Sequence, residues 1–370
     1  MVGLEGFTRR EFVSLAPAAL LGLSLRGTLA AGPDVGVVIA KNDLPEYLLR
    51  ASIRELGGID RYVKEGDLVA VKPNFSFDCV PNSDVNAANT DPDLVKAVVK
   101  LCLEAGASEI KVIDNTLTEP PELGLRSSQL KGKLAQFDTV ECKVLNNKPQ
   151  EFEKVNAGRS LGEIGVSKDV LEADVLVNLP KHKNHAETVA TISMKNLMGI
   201  IDDRQRIHDQ GLHRPIADLT SYLLSTQAAS GQRNLVVVDA IKALQSGGPD
   251  GPGKVIRPNS ILVGDNPVSV DAYGCDLLGI DRTTVPHLEI ASKEYMLAGS
   301  EEGWTASTLD VSQMAKDDLL PGPTPKPEEP RSGRWAFLLP AGVAVGACIA
   351  VGFIYSRKAR RPKEPESPRP

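Results

Sequence analysis

Short apolar runs rich in β-branched residues recur along the chain, and each has the length of a buried strand. A continuous apolar run of this kind is typical of a strand that other elements cover on both faces. The runs predict strands at residues 35–39, 68–71, 110–113, 175–177, 235–238 and 261–263.

Helical patterns lie between these strands. The clearest begins at Thr90, with Pro92 and Asp93 in its first turn, continues with apolar residues at helical spacing, and ends at Gly106. Strands that alternate with helices indicate an α/β fold, in which helices cover both faces of a mostly parallel sheet. The other predicted helices span residues 45–56, 188–201, 216–226, 268–278 and 285–298.

The first 30 residues follow the order of a secretory signal peptide. Arg9 and Arg10 precede an apolar stretch too short to span a membrane comfortably, and small residues follow that stretch. The arginine pair ahead of Phe12 resembles a twin-arginine export signal. We therefore expect residues 1–30 to be an export signal and residues 31–320 to form the main α/β domain.

Residues 335–355 are apolar and uncharged, and as a helix they are long enough to cross a hydrocarbon core of roughly 30 Å. A Pro-rich linker, residues 321–334, precedes this predicted transmembrane helix, and a basic tail, residues 356–370, follows it. Basic flanks stay in the cytoplasm, so the C-terminus is predicted to be cytoplasmic. The main domain would then be extracytoplasmic, on a single-pass protein of the cell membrane.

Composition and charge exclude some classes of protein. The chain has 42 Lys and Arg residues against 48 Asp and Glu residues; residues 1–30 have a net charge of +1 and residues 334–370 of +5, which leaves −12 for residues 31–333. Affinity for phosphate backbones comes from clustered basic residues, so the acidic main domain is not expected to bind nucleic acid.

None of the five cysteines has the close spacing of a zinc or iron–sulfur site. Disulfides and buried free thiols both remain open.

Polar side chains follow most of the predicted strands. Lys72 and Asn74 follow the second strand, Asp114 the third, Asp239 the fifth and Asp265 the sixth. In open parallel sheets, ligands bind beyond the carboxyl ends of the strands. We therefore expect these groups to converge on one crevice.

The richest polar segment, residues 178–185, follows the fourth strand. Pro180 disfavours helix before it, so the segment is predicted to be extended, with alternate side chains on opposite faces. Lys181, Lys183 and His185 would then share one face, which suits an anion such as a carboxylate or phosphate. The alternative is a solvated basic loop.

Four of the five histidines fall within a short stretch, at His182, His185, His208 and His213. Together with Asp202 or Asp203 they could ligate a divalent metal, although the spacing matches no standard metal motif. Alternatively, one histidine could act as a general acid or base near neutral pH.

These residues as a set resemble the family called domain of unknown function 362. The resemblance implies the fold and the choice of site residues, but no reaction, because none is assigned to the family. Many members are described as iron–sulfur proteins; this sequence lacks their cysteine motifs, so an iron–sulfur cluster of its own is not expected. The matching motifs lie between roughly residues 36 and 280 and are Lys72-Pro73-Asn74, Thr90-Asp91-Pro92, Glu104-Ala105-Gly106-Ala107, Asp114-Asn115, Leu179-Pro180-Lys181 with Lys183 and His185, Thr191 through Lys195-Asn196 to Gly199, His208 before Asp218, Asp239, Gly248-Pro249, and Asp265 through Pro267, Val270 and Asp271 to Gly279.

Two functions fit these observations. The first is a membrane-tethered extracytoplasmic protein that binds or converts a small anionic substrate, with a divalent metal or organic cofactor left open. The alternative is a non-catalytic module that binds a ligand or docks a redox partner at the membrane. The predicted catalytic residues are His185, His208 and Lys195, and the predicted substrate-binding residues are Lys72, Asn74, Lys181, Lys183, Asn196, Asp114 and Asp239.

Overall fold

The computed structural model describes residues 35–39, 44–81, 83–146, 148–297 and 306–310. The strands are β1 (Val35–Ile39), β2 (Leu68–Pro73), β3 (Glu109–Asp114), β4 (Val140–Val144), β5 (Phe152–Asn156), β6 (Glu163–Ser167), β7 (Val175–Leu179), β8 (Lys181–His185), β9 (Val189–Thr191), β10 (Arg233–Leu244), β11 (Val255–Ile256), β12 (Ser260–Gly264) and β13 (Ala306–Asp310). The α-helices are α1 (Pro45–Glu55), α2 (Pro92–Glu104), α3 (Glu122–Ser127), α4 (Leu130–Leu134), α5 (Lys168–Glu172), α6 (Ser193–Asn196), α7 (Arg204–Asp209), α8 (His213–Ser230), α9 (Pro267–Leu278) and α10 (Pro286–Glu289).

Most of these strands join one sheet, whose main path runs β13-β1-β12-β10-β7-β2-β3-β4. Strands β10, β7, β2, β3 and β4 are mutually parallel along this path, and β8 adds a further parallel pairing to β10. Strand β12 runs antiparallel to both of its neighbours, β10 and β1. Strands β5 and β6 form a separate antiparallel pair. The predicted α/β fold with a mostly parallel sheet is confirmed.

Each face of the sheet has its own apolar core. In β2, Val69 and Val71 belong to one core, where Leu48 of α1 and Leu94 of α2 are also buried. Ala70, between them, belongs to the other core, which includes residues of α8 and α9. Successive residues of a strand point to opposite faces, so a strand covered on both sides has to be apolar throughout. For this reason the continuous apolar runs located their six strands correctly.

The longer predicted helices are confirmed with small changes at their ends. The patterns at 45–56, 216–226 and 268–278 correspond to α1, α8 and α9. The helix that follows Thr90 is α2, where Asp91 is the N-cap and accepts a hydrogen bond from the Asp93 N–H.

Two other helix predictions need correction. The prediction for 188–201 is wrong in its first turn, because Val189–Thr191 pairs antiparallel with β8 as β9. Helix starts only at Ser193, in the short helix α6. Pairing with a neighbouring strand overrides the local helical spacing there. The prediction for 285–298 resolves into α10 followed by a π-helical turn at Ile290–Glu294.

The predicted export signal, linker, transmembrane helix and basic tail, at residues 1–30, 321–334, 335–355 and 356–370, lie outside the described residues. Within the described part of the chain, no helix combines the length and the apolar character needed to cross a membrane. The topology stays a prediction.

The sequence left disulfides and buried free thiols as alternatives for the cysteines. The cysteines that the structure describes are free thiols. Cys102 and Cys275 are buried in the apolar cores, and burial raises the pKa of the Cys102 thiol to about 12. A thiol with so high a pKa is a poor nucleophile. The free thiols are Cys79, Cys102, Cys142 and Cys275.

Candidate functional site

Three parallel strands end in a buried network of polar side chains. Lys72, in β2, has its Nζ 2.7 Å from Oδ1 of Asp114 at the end of β3, and both side chains are fully buried. The same ammonium donates to Oδ1 of Asn196 in α6 at 2.9 Å. Asn196 in turn donates to Oδ1 of Asn178 in β7 at 2.8 Å. The predicted convergence of polar groups therefore occurs at the ends of β2, β3 and β7.

Gly199 leaves the room that the Lys72–Asp114 ion pair occupies. A Cβ at this position would collide with Asp114 Oδ1 and would lie 2.7 Å from Lys72 Nζ. The Gly199 carbonyl also accepts a hydrogen bond from the Asn115 N–H at 3.1 Å. A larger residue at position 199 would have to displace the ion pair.

Asp271 positions the short helix that carries Lys195 and Asn196. This residue lies on α9 and accepts hydrogen bonds from the backbone N–H groups of Ser193 and Met194, at 2.7 and 2.9 Å. Both N–H groups belong to the first turn of α6, where a helix has no internal acceptors for them. Burial raises the pKa of Asp271 to about 7, although these hydrogen bonds favour the charged form.

Lys183 is a fully buried lysine held by neutral groups. Its Nζ donates to Asn74 Oδ1 at 3.0 Å and to the Ala88 carbonyl at 2.7 Å, and lies 4.6 Å from the centre of the Phe77 ring. Among the described residues it forms no ion pair with a carboxylate. Burial, together with the charges of Lys195 and other lysines, lowers the pKa of Lys183 to about 7.

Lys195 is a second lysine with no ion pair among the described residues, and it is partly exposed. Its Nζ contacts the sulfur of Met198 at 3.0 Å, and thioether sulfur is a weak acceptor. Burial and the charge of Arg204 lower the pKa of Lys195 to about 8, while the exposed Glu187 opposes the shift and Lys72 adds to it.

Arg204, in α7, adds a third cation on the same side. Its guanidinium donates to the backbone carbonyls of Asn115 and Thr116, the residues that follow β3. Burial lowers the pKa of Arg204, and the nearby Asp114 carboxylate opposes that shift.

The site therefore holds more positive than negative charge. Lys72, Lys183, Lys195 and Arg204 lie close enough to influence one another's pKa, and the carboxylates near them are Asp114, already paired with Lys72, and the exposed Glu187. Burying a charge without a partner is costly. A bound anion would relieve this cost.

His185 lies beside these cations with a defined tautomer. Its Nδ1 accepts hydrogen bonds from the backbone N–H groups of Glu187 and Thr188, at 3.1 and 3.3 Å, so the ring proton is on Nε2. Burial and the charges of Lys195 and Lys183 lower the pKa of His185 to about 3. The ring is thus neutral and can donate a hydrogen bond through Nε2. This state suits a hydrogen bond to a ligand oxygen better than the predicted roles of His185 as a base or a metal ligand.

The remaining histidines occupy three different environments. His208 Nδ1 lies 3.5 Å from the Glu187 carboxylate, at the exposed rim beside Lys195. His213 and His287 stack, with their Nδ1 atoms 3.2 Å apart. His182 is buried elsewhere, with Nε2 hydrogen bonded to a carbonyl of α9 at 2.8 Å.

The predicted metal-ligand set is not assembled in the described part of the chain. Asp202 instead accepts from the Gly165 N–H at 2.9 Å and pairs with Lys154, and Asp203 caps α7. No three His, Cys, Asp or Glu side chains among the described residues lie close enough together to hold a metal ion.

Lys181 and Asp239 form a second buried ion pair. Their side chains are both fully buried, with Nζ 2.8 Å from Oδ2, and the carboxylate also accepts from the Asp91 N–H at 2.8 Å. Lys181 and Asp239 thereby link β8, β10 and the start of α2. Their predicted role in substrate binding stays a prediction, and the geometry favours a structural role.

Asp265 is not part of the convergence. Strand β12 runs antiparallel to β10, so its carboxyl end lies at the opposite edge of the sheet. Asp265 pairs there with Arg61 at 3.0 Å, with both side chains partly exposed. The sequence prediction for Asp265 was wrong because it applied the rule for parallel strands to β12, which is antiparallel to β10.

Sequence reasoning missed Arg204 and His287 and used Asp271 only as a family marker. Arg204 sits in a polar stretch without a distinctive spacing, and His287 is far along the chain from the other histidines. A signal was available only for Asp271, in the motif Asp265 through Pro267, Val270 and Asp271.

The fold and the site define an α/β protein with a buried, cation-rich polar centre at the ends of parallel strands. The chain belongs to the family described as domain of unknown function (DUF362), which matches residues 69–276. The matched region runs from β2 to α9 and includes every residue of the site described above except His287.

Three known proteins are similar to this chain. A thylakoid-associated protein of Synechocystis is 26% identical over 240 residues, which cover 64% of this chain and 71% of that protein. A protein from Thermotoga maritima has a crystal structure with 13% identity and a TM-score of 0.41, over 64% of this chain and 58% of that one. The lactate racemase apoprotein from Thermoanaerobacterium thermosaccharolyticum has 14% identity and a TM-score of 0.37, over 65% and 56%. The chain thus spans less than two thirds of either solved structure.

Proposed function

We propose that this protein binds a small anionic substrate, a carboxylate or phosphate, at the cation-rich centre formed by Lys195, Arg204, Lys183 and His185. One observation carries the proposal: the buried Lys183 and the partly exposed Lys195 form no ion pair with a carboxylate among the described residues. An anion would supply the missing charge.

Different parts of the site have different tasks in this proposal. Lys195, partly exposed beside the rim histidine His208, makes the first contact with the anion. His185 donates from Nε2 to a ligand oxygen. Asn74 and Asn196 hold Lys183 and Lys72 in place through hydrogen bonds of 3.0 and 2.9 Å. Lys72 and Asp114, already paired, form the floor of the site.

Thermal unfolding of the full-length protein in detergent, with increasing phosphate or acetate, tests the proposal. A ligand at one hundred times its Kd stabilises the native state by about 2.7 kcal/mol, so Tm should rise with one of the two anions. Lys195→Gln removes the charge and should reduce that rise by at least half. Lys293→Gln is the matched control, because the Lys293 side chain is 67% exposed on the π-helical turn Ile290–Glu294.

Equal anion-dependent shifts in Lys195→Gln and in the wild type would contradict the proposed site. No shift with either anion would contradict the proposed function itself.

We also propose that the protein is exported and anchored by residues 335–355, with the α/β domain outside the cytoplasm. The sequence of the two ends supports this topology. Fractionation of cells that express the full chain should place it in the membrane, and removal of residues 335–370 should release it. A truncated protein that stays in the membrane fraction would contradict the proposed anchor.

A further inference from the structure

Lys195 has the surroundings of a reactive amine. Its Nζ contacts Met198 sulfur at 3.0 Å, and the cations Arg204 and Lys72 lie near enough to disfavour its protonated form. The residue is partly exposed at the edge of the site, whereas Lys72 and Lys183 are fully buried. A lysine that is desolvated next to other cations is activated as a nucleophile toward carbonyl groups.

His185 supplies the complementary group. Because its Nδ1 is occupied by the Glu187 and Thr188 N–H groups, its Nε2–H is available as a neutral donor. A neutral donor next to an amine can hydrogen bond the oxygen of a carbonyl group while the amine attacks its carbon. The charge of Lys195 is close enough to affect His185, since it lowers the pKa of that ring.

We propose that Lys195 forms an imine with a small carbonyl compound that also carries an acid group, such as a 2-oxo carboxylate. This inference rests on the proposed function, since Arg204 and the other cations would hold the acid group. It extends that function by naming the substrate class and the residue that reacts.

The reaction balances without an oxidant or reductant. The neutral Nζ of Lys195 attacks the carbonyl carbon, forming a C–N bond, and the π electron pair moves to the oxygen, which His185 stabilises by hydrogen bonding. A proton passes from nitrogen to that oxygen and gives a carbinolamine. Loss of the hydroxyl group together with the second amine proton releases one water and leaves a carbon–nitrogen double bond.

The other lysines of the site are less suited to this step. Lys72 is fully buried and its Nζ lies 2.7 Å from Asp114 Oδ1, so a carbonyl compound has no access to it; burial lowers its pKa, and the Asp114 carboxylate opposes that shift. Lys183 is 1% exposed and lies beneath the Phe77 ring. Lys195 alone among these three combines access with the absence of an ion pair in the described chain.

Reductive trapping tests the proposal. Full-length protein in detergent is incubated with glyoxylate and cyanoborohydride, which reduces an imine to a stable secondary amine, and labelled lysines are identified by peptide mass spectrometry. At pH 7.5 we expect Lys195 to be labelled about tenfold or more faster than exposed lysines, because more of it is present as free amine. Lys293 in the same digest is the exposed reference, and Lys183 is the buried one.

Two controls separate this proposal from the anion site. Phosphate cannot form an imine, so it should slow Lys195 labelling by competition while leaving Lys293 labelling unchanged. Lys195→Arg should lose the site-specific label, with its fold checked by circular dichroism; the wild-type label map provides the answer even if this variant does not fold.

The outcomes are distinguishable. If Lys195 is labelled no faster than Lys293 while phosphate still raises Tm, the imine proposal is overturned and the anion site stands. If neither labelling nor a Tm shift is seen, both proposals fail.

Discussion

Lys181 and Lys195 lie close in the sequence, at the start of β8 and in α6, yet their environments are opposite. Lys181 is completely buried and its ammonium lies 2.8 Å from the Asp239 carboxylate. Lys195 is partly exposed, and the hydrogen-bond acceptor nearest its Nζ among the described residues is the Met198 thioether sulfur, at 3.0 Å. The sequence predicted a role at the ligand for both, because both belong to one polar region after β7.

The two environments indicate two roles: Lys181 stabilises the fold, and Lys195 is proposed to bind a ligand. When a buried cation has a carboxylate at ion-pair distance, the carboxylate neutralises its charge, and the pair holds together the two elements that carry it. A cation without that partner leaves a site poised for an external anion, at a cost in stability. The experiments below test this contrast by altering each environment in turn.

The largest effect is expected from Asp239→Asn. This change keeps the side-chain shape but leaves the Lys181 ammonium buried without its counter-charge, so the free energy of unfolding should fall by about 3–5 kcal/mol. Urea unfolding of the full-length protein in detergent measures the change. The matched control is Asp265→Asn, which breaks the exposed pair with Arg61 and should cost at most about 1 kcal/mol. Similar losses in both variants would refute the structural role given to the buried pair.

The opposite sign is expected at Lys195. Lys195→Met removes a partly exposed cation that has no ion pair among the described residues. Because the pKa of Lys195 is lowered from 10.5 to about 8, the change should raise the free energy of unfolding at pH 7 by up to about 3 kcal/mol. The gain should be complete below pH 8 and should shrink between pH 8 and 10.5. In that range the native lysine has lost its proton while the unfolded one retains it, so wild-type stability rises with pH.

Unfolding curves of both proteins from pH 7 to 10 test this linkage. A stability difference that does not change with pH would mean that packing, and not charge, explains the effect of Lys195→Met.

A smaller loss of stability is expected at Gly199, whose backbone packs against the Lys72–Asp114 ion pair. Gly199→Ala forces a Cβ against Asp114 and Lys72 and should cost about 1–3 kcal/mol, and it should weaken the anion-dependent rise in Tm. Gly132→Ala is the control, because no atom lies within 4 Å of a Cβ there and the position is in helix α4. That control should be neutral or stabilising by up to about 1 kcal/mol. An equal loss of stability in both variants would contradict the inference that position 199 must be glycine to leave room for the ion pair.

Part of this picture could be read from the sequence. The six apolar runs located six strands, because strands buried on both faces must be apolar at every position. Lys72 and Asp114 were also expected to converge on one crevice, and they do meet, because residues at the carboxyl ends of neighbouring parallel strands lie at one edge of the sheet. The sequence by itself thus determined the fold class and the edge of the sheet where polar groups collect.

Only the tertiary structure decided which charges are paired. The groups that hold Lys72 and Lys181 lie in other elements. Lys72 pairs with Asp114 of β3 and donates to Asn196, 124 residues away, and the ion-pair partner Asp239 is 58 residues from Lys181. The direction of β12, which removes Asp265 from the site, was likewise set by strand pairing. The tautomer of His185 was set by two backbone N–H groups of the turn after β8. Local sequence records what a residue can do, but the energy of a buried charge depends on atoms that folding brings to it from elsewhere in the chain.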